Sequence, residues 1–394
     1  MTVAGVAEMV GDGVMYLRGR IVSASCVLDD GVVSVRGDRI VGVRPFTEWT
    51  AAQANSETPE FLGTIVPGLV DIHNHGGFGY RFDTVDAAEA RAAAEFHQRQ
   101  GSTSVVASVV TGAPDDMVAQ TATLRAVAEE GVLAGIHVEG PFLSEVRCGA
   151  QDPKFLIDPD HVLIERLLAA AGGHLRVMTL APERRGFDVA ARLLAAHGVV
   201  VALGHSDADY AAFRSALAPG GPGTLVTHLA NGMPPLHHRA PGPAAAGLVA
   251  AAERRAIVEL IGDGVHVESG FAALAFATAP GRVALITDAM QAAGLPDGDY
   301  RLGPQPVRVT GGVARVATGA IAGGTATLLQ CLRWAVRDCG LPLLDAVVAA
   351  TSTPAAAAGL DDAGDLRPGL AADAVVLDEK QGLRRVLRHG QWLT

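Results

Sequence analysis

Cysteine is scarce in this 394-residue chain: Cys26, Cys148, Cys331 and Cys339, with no CxxC pair among them. That excludes a disulfide framework and a closed cysteine zinc site, and it suits a reducing compartment. The N-terminal MTVAGVAEMVGDGVMYLRG lacks the basic and long apolar regions of a secretion signal. Elsewhere the Ala/Val/Leu runs are broken by Arg, Glu or Gly well short of a membrane span, so a cytoplasmic protein with no membrane contact is expected. Positive charge is short as well: 31 Lys and Arg stand against 42 Asp and Glu, a formal net charge of −11. This argues against a nucleic-acid or membrane-surface partner, and an anionic substrate would need a local cationic cluster. With 49% apolar and only 19% charged residues, the chain is globular and not disordered.

What is present is organised around Pro67 to Tyr80, PGLVDIHNHGGFGY. The apolar run Ile65 to Ile72 reads as a buried parallel strand that ends in His73 and His75. Residues two apart on a strand share a face, so both imidazoles could reach one ion. From there the sequence alternates β-rich apolar runs with Ala-rich helical segments. Eight candidate strands result, at 65–73, 103–110, 132–139, 175–180, 199–205, 224–228, 256–262 and 283–288, which predicts an α/β fold of the (β/α)8 barrel type. A doubly wound sheet is the alternative, but no glycine-rich dinucleotide fingerprint follows the first strand. Residues 14–66 and the stretch from Ala374 to Leu393 have the short-strand character of antiparallel β-structure, and the two ends could form one small domain. Two long excursions, 229–242 and 290–323, fall where a barrel carries its functional loops.

In a barrel the reacting groups sit at the C-terminal strand ends. Those ends carry His73 and His75, then Glu139, His205, His228 and Asp288. Each alone has an ordinary reading as a polar strand end, a turn cap or a helix opener; six on one face do not arise readily by accident. Imidazole and carboxylate ligands suit zinc, iron, manganese or cobalt, with an open position for water. Asp288 is placed for metal contact and for proton relay. His137 would share the side of Glu139 one layer deeper, as a supporting or core residue, and His266, among glycines after the seventh strand, is a candidate for substrate contact.

PGLVDIHNHGG, HVEGPFLSEVRCGAQDP, GHSDADY, THLANGMPPLHHRAPG, GDGVHV, ITDAM and GAIAGGTATL, in this order, resemble the N-acetylglucosamine-6-phosphate deacetylases of the amidohydrolase superfamily. The most specific part is HVEGPF followed by GHS and THLxNxMP. The resemblance implies a metal-dependent (β/α)8 barrel over 67–366 and a small β-sandwich domain built from 1–66 and 367–394. It implies hydrolysis of the N-acetyl amide of N-acetylglucosamine-6-phosphate to glucosamine-6-phosphate and acetate, with one or two divalent ions per subunit, zinc or iron ahead of manganese or cobalt. Glu139, His205 and His228 match the principal metal ligands, Asp288 the catalytic aspartate, and His73 and His75 the pair found in members that hold a second ion. His266 is expected to orient substrate. Sugar-phosphate contacts map onto Ala150, Gln151, Asn231, Gly232, Arg239, Asp263, His266, Ile321, Ala322 and Gly323. Resembling proteins are homodimers in which the arginine corresponding to Arg239 reaches the neighbouring site.

Gln151 stands in GAQDP where the family commonly has histidine. Glutamine hydrogen-bonds but carries no proton charge, so the choice between N-acetylglucosamine and N-acetylgalactosamine phosphates stays open. A cyclic-amide hydrolase is disfavoured because the fourth strand segment, LRVMTLAPE, lacks the lysine that would bridge two ions. A non-catalytic sugar-phosphate sensor would be expected to lose Asp288, which is present.

Overall fold

The computed structural model describes residues 13–53, 57–218, 220–221 and 223–393; the first twelve residues, read above for a secretion signal, lie outside them. Eight parallel strands form a nearly closed barrel: β1 (Val70–Asn74), β2 (Ser104–Val109), β3 (Gly135–Glu139), β4 (Leu175–Leu180), β5 (Val200–Leu203), β6 (Gly223–Val226), β7 (Ile257–Ile261) and β8 (Val283–Ile286). Each strand pairs with its sequence neighbour. The two remaining edges meet at a seam, where Asp288 N–H donates to His73 O at 2.9 Å and His75 N–H to Ala289 O at 2.7 Å. Beneath it the buried Asp71 carboxylate accepts from Thr287 Oγ1 at 2.6 Å and from Asn74 Nδ2 at 2.8 Å.

Alternation along the strands sorts the interior by height. Val106 precedes Ser108, Val177 precedes Thr179, Leu225 precedes Thr227 and Ile257 precedes Glu259 on the same strand face. The lower layer is therefore apolar, Val106, Val177, Ala202, Leu225 and Ile257 clustering with Ala355 and Ala357 of the helix Ser352–Ala357. Towards the C-terminal ends the row becomes polar. Helices cover the outside, packing Ala and Leu against the opposite strand face. Their ends follow ordinary capping chemistry: Asp86 and Asp160 accept from the amides of Ala88 and Val162, and a left-handed Gly172 ends the helix His161–Ala171.

The single strand expected over 65–73 is two strands. Phe61–Pro67 pairs with Ala374–Leu377 and Val14–Val22 in a seven-stranded, mostly antiparallel sheet built from both chain ends. The barrel strand starts only at Val70. The break falls at Gly68, where a Cβ would sit 2.0 Å from Thr103 Oγ1 and 2.9 Å from Asp373 Cβ. Only glycine fits where the sheet of the chain ends is pressed against the barrel. The excursion 290–323 contains a three-stranded antiparallel meander, Gly298–Leu302, Gln305–Thr310 and Val313–Arg315. No helix among the described residues is long and apolar enough to cross a membrane.

Candidate metal centre and active site

The six strand-end residues named from the sequence meet at the C-terminal mouth of the barrel, though not all on strands. His73 and Glu139 belong to β1 and β3, and His75 follows β1 directly. His205, His228 and Asp288 each lie two residues beyond the end of their strand, after Leu203, Val226 and Ile286. All three have positive φ, 46°, 25° and 47°, a conformation side chains avoid without compensation. The backbone thus turns sharply at these three positions and swings their side chains inward across the mouth, the kind of local strain that functional sites retain.

Two clusters share Glu139. In the first, Glu139 Oε1 lies 3.1 Å from His205 Nε2 and 2.9 Å from His228 Nε2, and the two imidazole nitrogens are 3.1 Å apart. In the second, His73 Nε2 and His75 Nε2 are 3.1 Å apart, Glu139 Oε2 is 3.3 Å from His75 Nε2, and Asp288 Oδ1 is 3.2 Å from the same atom. Four ligands around zinc at 2.0–2.1 Å stand roughly 3.3 Å from one another, so these separations are those of ligands sharing an ion. The tautomers agree. His205 Nδ1–H donates to Arg147 O at 2.8 Å and His73 Nδ1–H to Glu259 Oε2 at 3.0 Å, which leaves both Nε2 lone pairs facing the centre.

The electrostatics also invite a cation. Burial opposes charge on His75, yet hydrogen bonds to Asp288 and Glu139 outweigh it and raise its pKa to about 9. Against the same burial, His73 and His75 hold Asp288 at about 2. A cluster that draws protons onto its imidazoles when bare will exchange them for a metal ion. The residues present therefore fit a divalent metal, as one or two ions.

Above the cluster opens a cavity of about 210 Å³ lined by His75, Glu139, Gly149, Ala150, Gln151, His205, His228, Asn231, Gly232, His266, Asp288, Leu302, Ala320 and Ile321. Most of the expected substrate contacts thus reach it, but four do not line it. Asp263 is turned to His266, its carboxylate 2.7 Å from His266 Nδ1, and it fixes that ring. Ala322 is fully buried behind the wall, and a Cβ on Gly323 would stand 2.8 Å from Asp288 O, so this glycine lies against the backbone turn at Asp288. Arg239 is exposed on its loop with Nη1 2.9 Å from His238 Nε2. Gln151 lines the cavity with both amide atoms engaged, Nε2 donating to Glu139 Oε2 at 2.7 Å and Oε1 accepting from Thr111 N–H at 2.9 Å. His137 is a supporting residue, its two nitrogens bonded to Ser108 Oγ and Thr179 Oγ1 and its ring packed on His73.

Glu259 was not singled out from the sequence, although it carries a signal: a lone carboxylate inside the apolar run IVELI needs a buried partner. Asp71, in GLVDIH, carries the same signal.

The amidohydrolase family profile matches residues 64–393. An N-acetylgalactosamine-6-phosphate deacetylase of Escherichia coli O157:H7 is 33% identical over 379 residues, 94% of this chain and 97% of that protein. An N-acetylglucosamine-6-phosphate deacetylase of Vibrio furnissii is 34% identical over 334 residues, 83% of this chain and 82% of that protein. Among solved structures, a mutant N-acetyl-D-glucosamine-6-phosphate deacetylase from Mycobacterium smegmatis, in complex with N-acetyl-D-glucosamine-6-phosphate, superposes with a TM-score of 0.91 at 41% identity, covering 96% of this chain and 99% of that one.

Proposed function

The chain belongs to the amidohydrolase family, among its N-acetylglucosamine-6-phosphate deacetylases, and on that premise we propose that it removes the acetyl group of N-acetylglucosamine-6-phosphate by hydrolysis. The observation that carries this reading is the meeting of Glu139, His205 and His228 within 3.1 Å of one another, with the Asp288 carboxylate beside them in the cavity wall. Glu139, His205 and His228 would hold one divalent cation, with His73, His75 and Asp288 available to a second, and a bound cation would supply a Lewis acid for the amide carbonyl and lower the pKa of water toward neutrality. Zinc or iron are the candidates this ligand set favours.

The chain's own groups divide the remaining work. Asp288 Oδ1 takes the proton from the attacking water and returns it to the departing sugar nitrogen, the exchange that turns a poor amide leaving group into an amine. His266, steadied by Asp263, presents Nε2 as a hydrogen-bond donor or acceptor to the sugar or the acyl oxygen. Asn231 and Gly232 line the same cavity. The cavity lining holds no lysine or arginine among the described residues. A phosphate is most readily met by a guanidinium, so the reading requires one from outside this cavity, and Arg239 of a second subunit in a homodimer supplies it. The low cysteine content supports a reducing, cytoplasmic setting.

The test is acetate release from N-acetylglucosamine-6-phosphate, with and without a chelator. Chelator-sensitive release supports the reading. Faster release from the galacto epimer would transfer it to N-acetylgalactosamine-6-phosphate, the substrate named for the Escherichia coli relative. No release from either substrate, with binding retained, would make the chain a sugar-phosphate sensor.

A further inference from the structure

We propose that Glu259 is a positioning residue that commits the His73–His75 half of the centre to a second cation; the inference rests on the metal-dependent deacetylase reading. Glu259 lies on β7, is 1% exposed, and is the one charged residue of the strand Ile257–Ile261. A single oxygen, Oε2, accepts from two ligand-bearing residues: His73 Nδ1–H at 3.0 Å and the His228 backbone N–H at 3.1 Å. The first bond fixes the His73 tautomer and aims its Nε2 at His75, Glu139 and Asp288. The second holds the strained turn at His228, whose φ is 25°. One carboxylate therefore reaches both clusters from behind, His73 of one and the backbone of His228 of the other.

Hydrogen bonds alone leave this burial incompletely compensated. Glu259 Oε1 has no hydrogen-bond partner among the described residues, and the only ion-pair partner of the carboxylate there is His73. A buried carboxylate in that state is stabilised by positive charge nearby, and no lysine or arginine among the described residues pairs with it. Counting formal charge makes the point sharper. Glu139, Asp288 and Glu259 contribute three negative charges against neutral ligand imidazoles. One dication leaves a single negative charge and two leave a single positive one, so both occupancies are tolerable. With glutamine in its place, one dication already balances the centre and a second leaves two uncompensated positive charges in a buried site. Glu259 thus tips the site towards two ions, and it raises the basicity of His73 as the carboxylate partner of a ligating imidazole does.

The experiment counts ions per chain in purified protein loaded with zinc and then dialysed, for wild type, Glu259→Gln and His73→Ala, alone and combined. Metal-free melting curves and acetate release are recorded on the same samples. Wild type is expected to retain two ions. Glu259→Gln is expected to hold the second 10- to 100-fold more weakly and to retain the first, with the metal-free melting temperature not lowered. In the His73→Ala background, Glu259→Gln is expected to change the ion count no further. A single retained ion in wild type, or two ions held at wild-type strength by Glu259→Gln, overturns the proposal. So does loss of both ions together with a lowered metal-free melting temperature, which would make Glu259 part of the scaffold only. Rescue of the second ion by Glu259→Asp supports it. A wild type that holds two ions but releases no acetate would overturn the deacetylase reading and leave the role of Glu259 standing.

Discussion

Gln151 Nε2 lies 2.7 Å from Glu139 Oε2, and because Thr111 N–H donates to the other end of the same amide, the glutamine can present its nitrogen to Glu139 in one orientation only. The residue expected to touch the sugar thus also braces the carboxylate shared by both clusters. Gln151→Leu should weaken metal retention and lower kcat/KM by roughly 10- to 100-fold, the scale for losing a group that orients a ligand. Gln151→Glu, which sets a carboxylate against Glu139, should be worse than Leu. Equal effects of the two, measured by metal titration, would mean that only cavity shape matters at this position.

Asp288 sits at the seam with its carboxylate turned to the cavity. Asp288→Asn keeps shape and hydrogen bonding but cannot accept a proton. It should lower kcat by a factor on the order of 10²–10⁴ while ions remain bound at Glu139, His205 and His228. Turnover at the wild-type rate would remove Asp288 from the mechanism.

Arg239 is tested by complementation. If it serves a neighbouring subunit, Arg239→Ala and Asp288→Asn are each nearly inactive alone. Mixed and allowed to exchange subunits, they should recover activity, because one site of the mixed dimer then has both residues intact. No recovery in a mixture shown to contain mixed dimers would place Arg239 in its own chain's site, or in none.

Asp83 gives a pH-dependent prediction away from the ligands. Burial, only partly offset by Arg81 at 3.7 Å and by His75, raises its pKa from 3.8 to about 6. The folded protein therefore binds this proton more tightly than the unfolded chain, and stability falls as pH rises through the window from about 4 to about 6. In metal-free protein, Asp83→Asn should be more stable than wild type above pH about 6, by an amount on the order of 1–3 kcal/mol, and so melt higher, while at pH about 4 the two should melt close together. A melting-temperature difference independent of pH would show that Asp83 is not buried as an acid.

The barrel was legible because both of its signals are periodic: apolar runs at regular spacing, and ionisable residues where each run stops. Leu175–Leu180 falls where the pattern put it, to the residue. The apolar run across Pro67 misled because hydrophobicity is the same on both sides of Gly68, and only the approach of Thr103 and Asp373 reveals the change of sheet. The candidate ligands were legible as types but not as geometry: His205, His228 and Asp288 look like strand ends and are left-handed turns. Arg239 and Asp263 illustrate the remaining gap, since position in a motif does not say whether a side chain meets the ligand, a neighbour or another copy. Glu259 and Asp71 were legible in retrospect, as single carboxylates in strands with no reason to bear them.

The seam between the first and last barrel strands lies directly under the centre, and the amide of Asp288 is bonded to the carbonyl of His73. Ring closure and assembly of the ligand set are therefore the same event in folding. A chain with seven strands in place has Glu139, His205 and His228 on or just after β3, β5 and β6 but an open, wet gap where Asp288 and the paired histidines should face each other. Any cation that prefers the finished centre acts as a clasp on the ring, adding about 2.7 kcal/mol at a hundred times its dissociation constant, so depriving the cell of the metal would cost the protein its durability as well as its turnover.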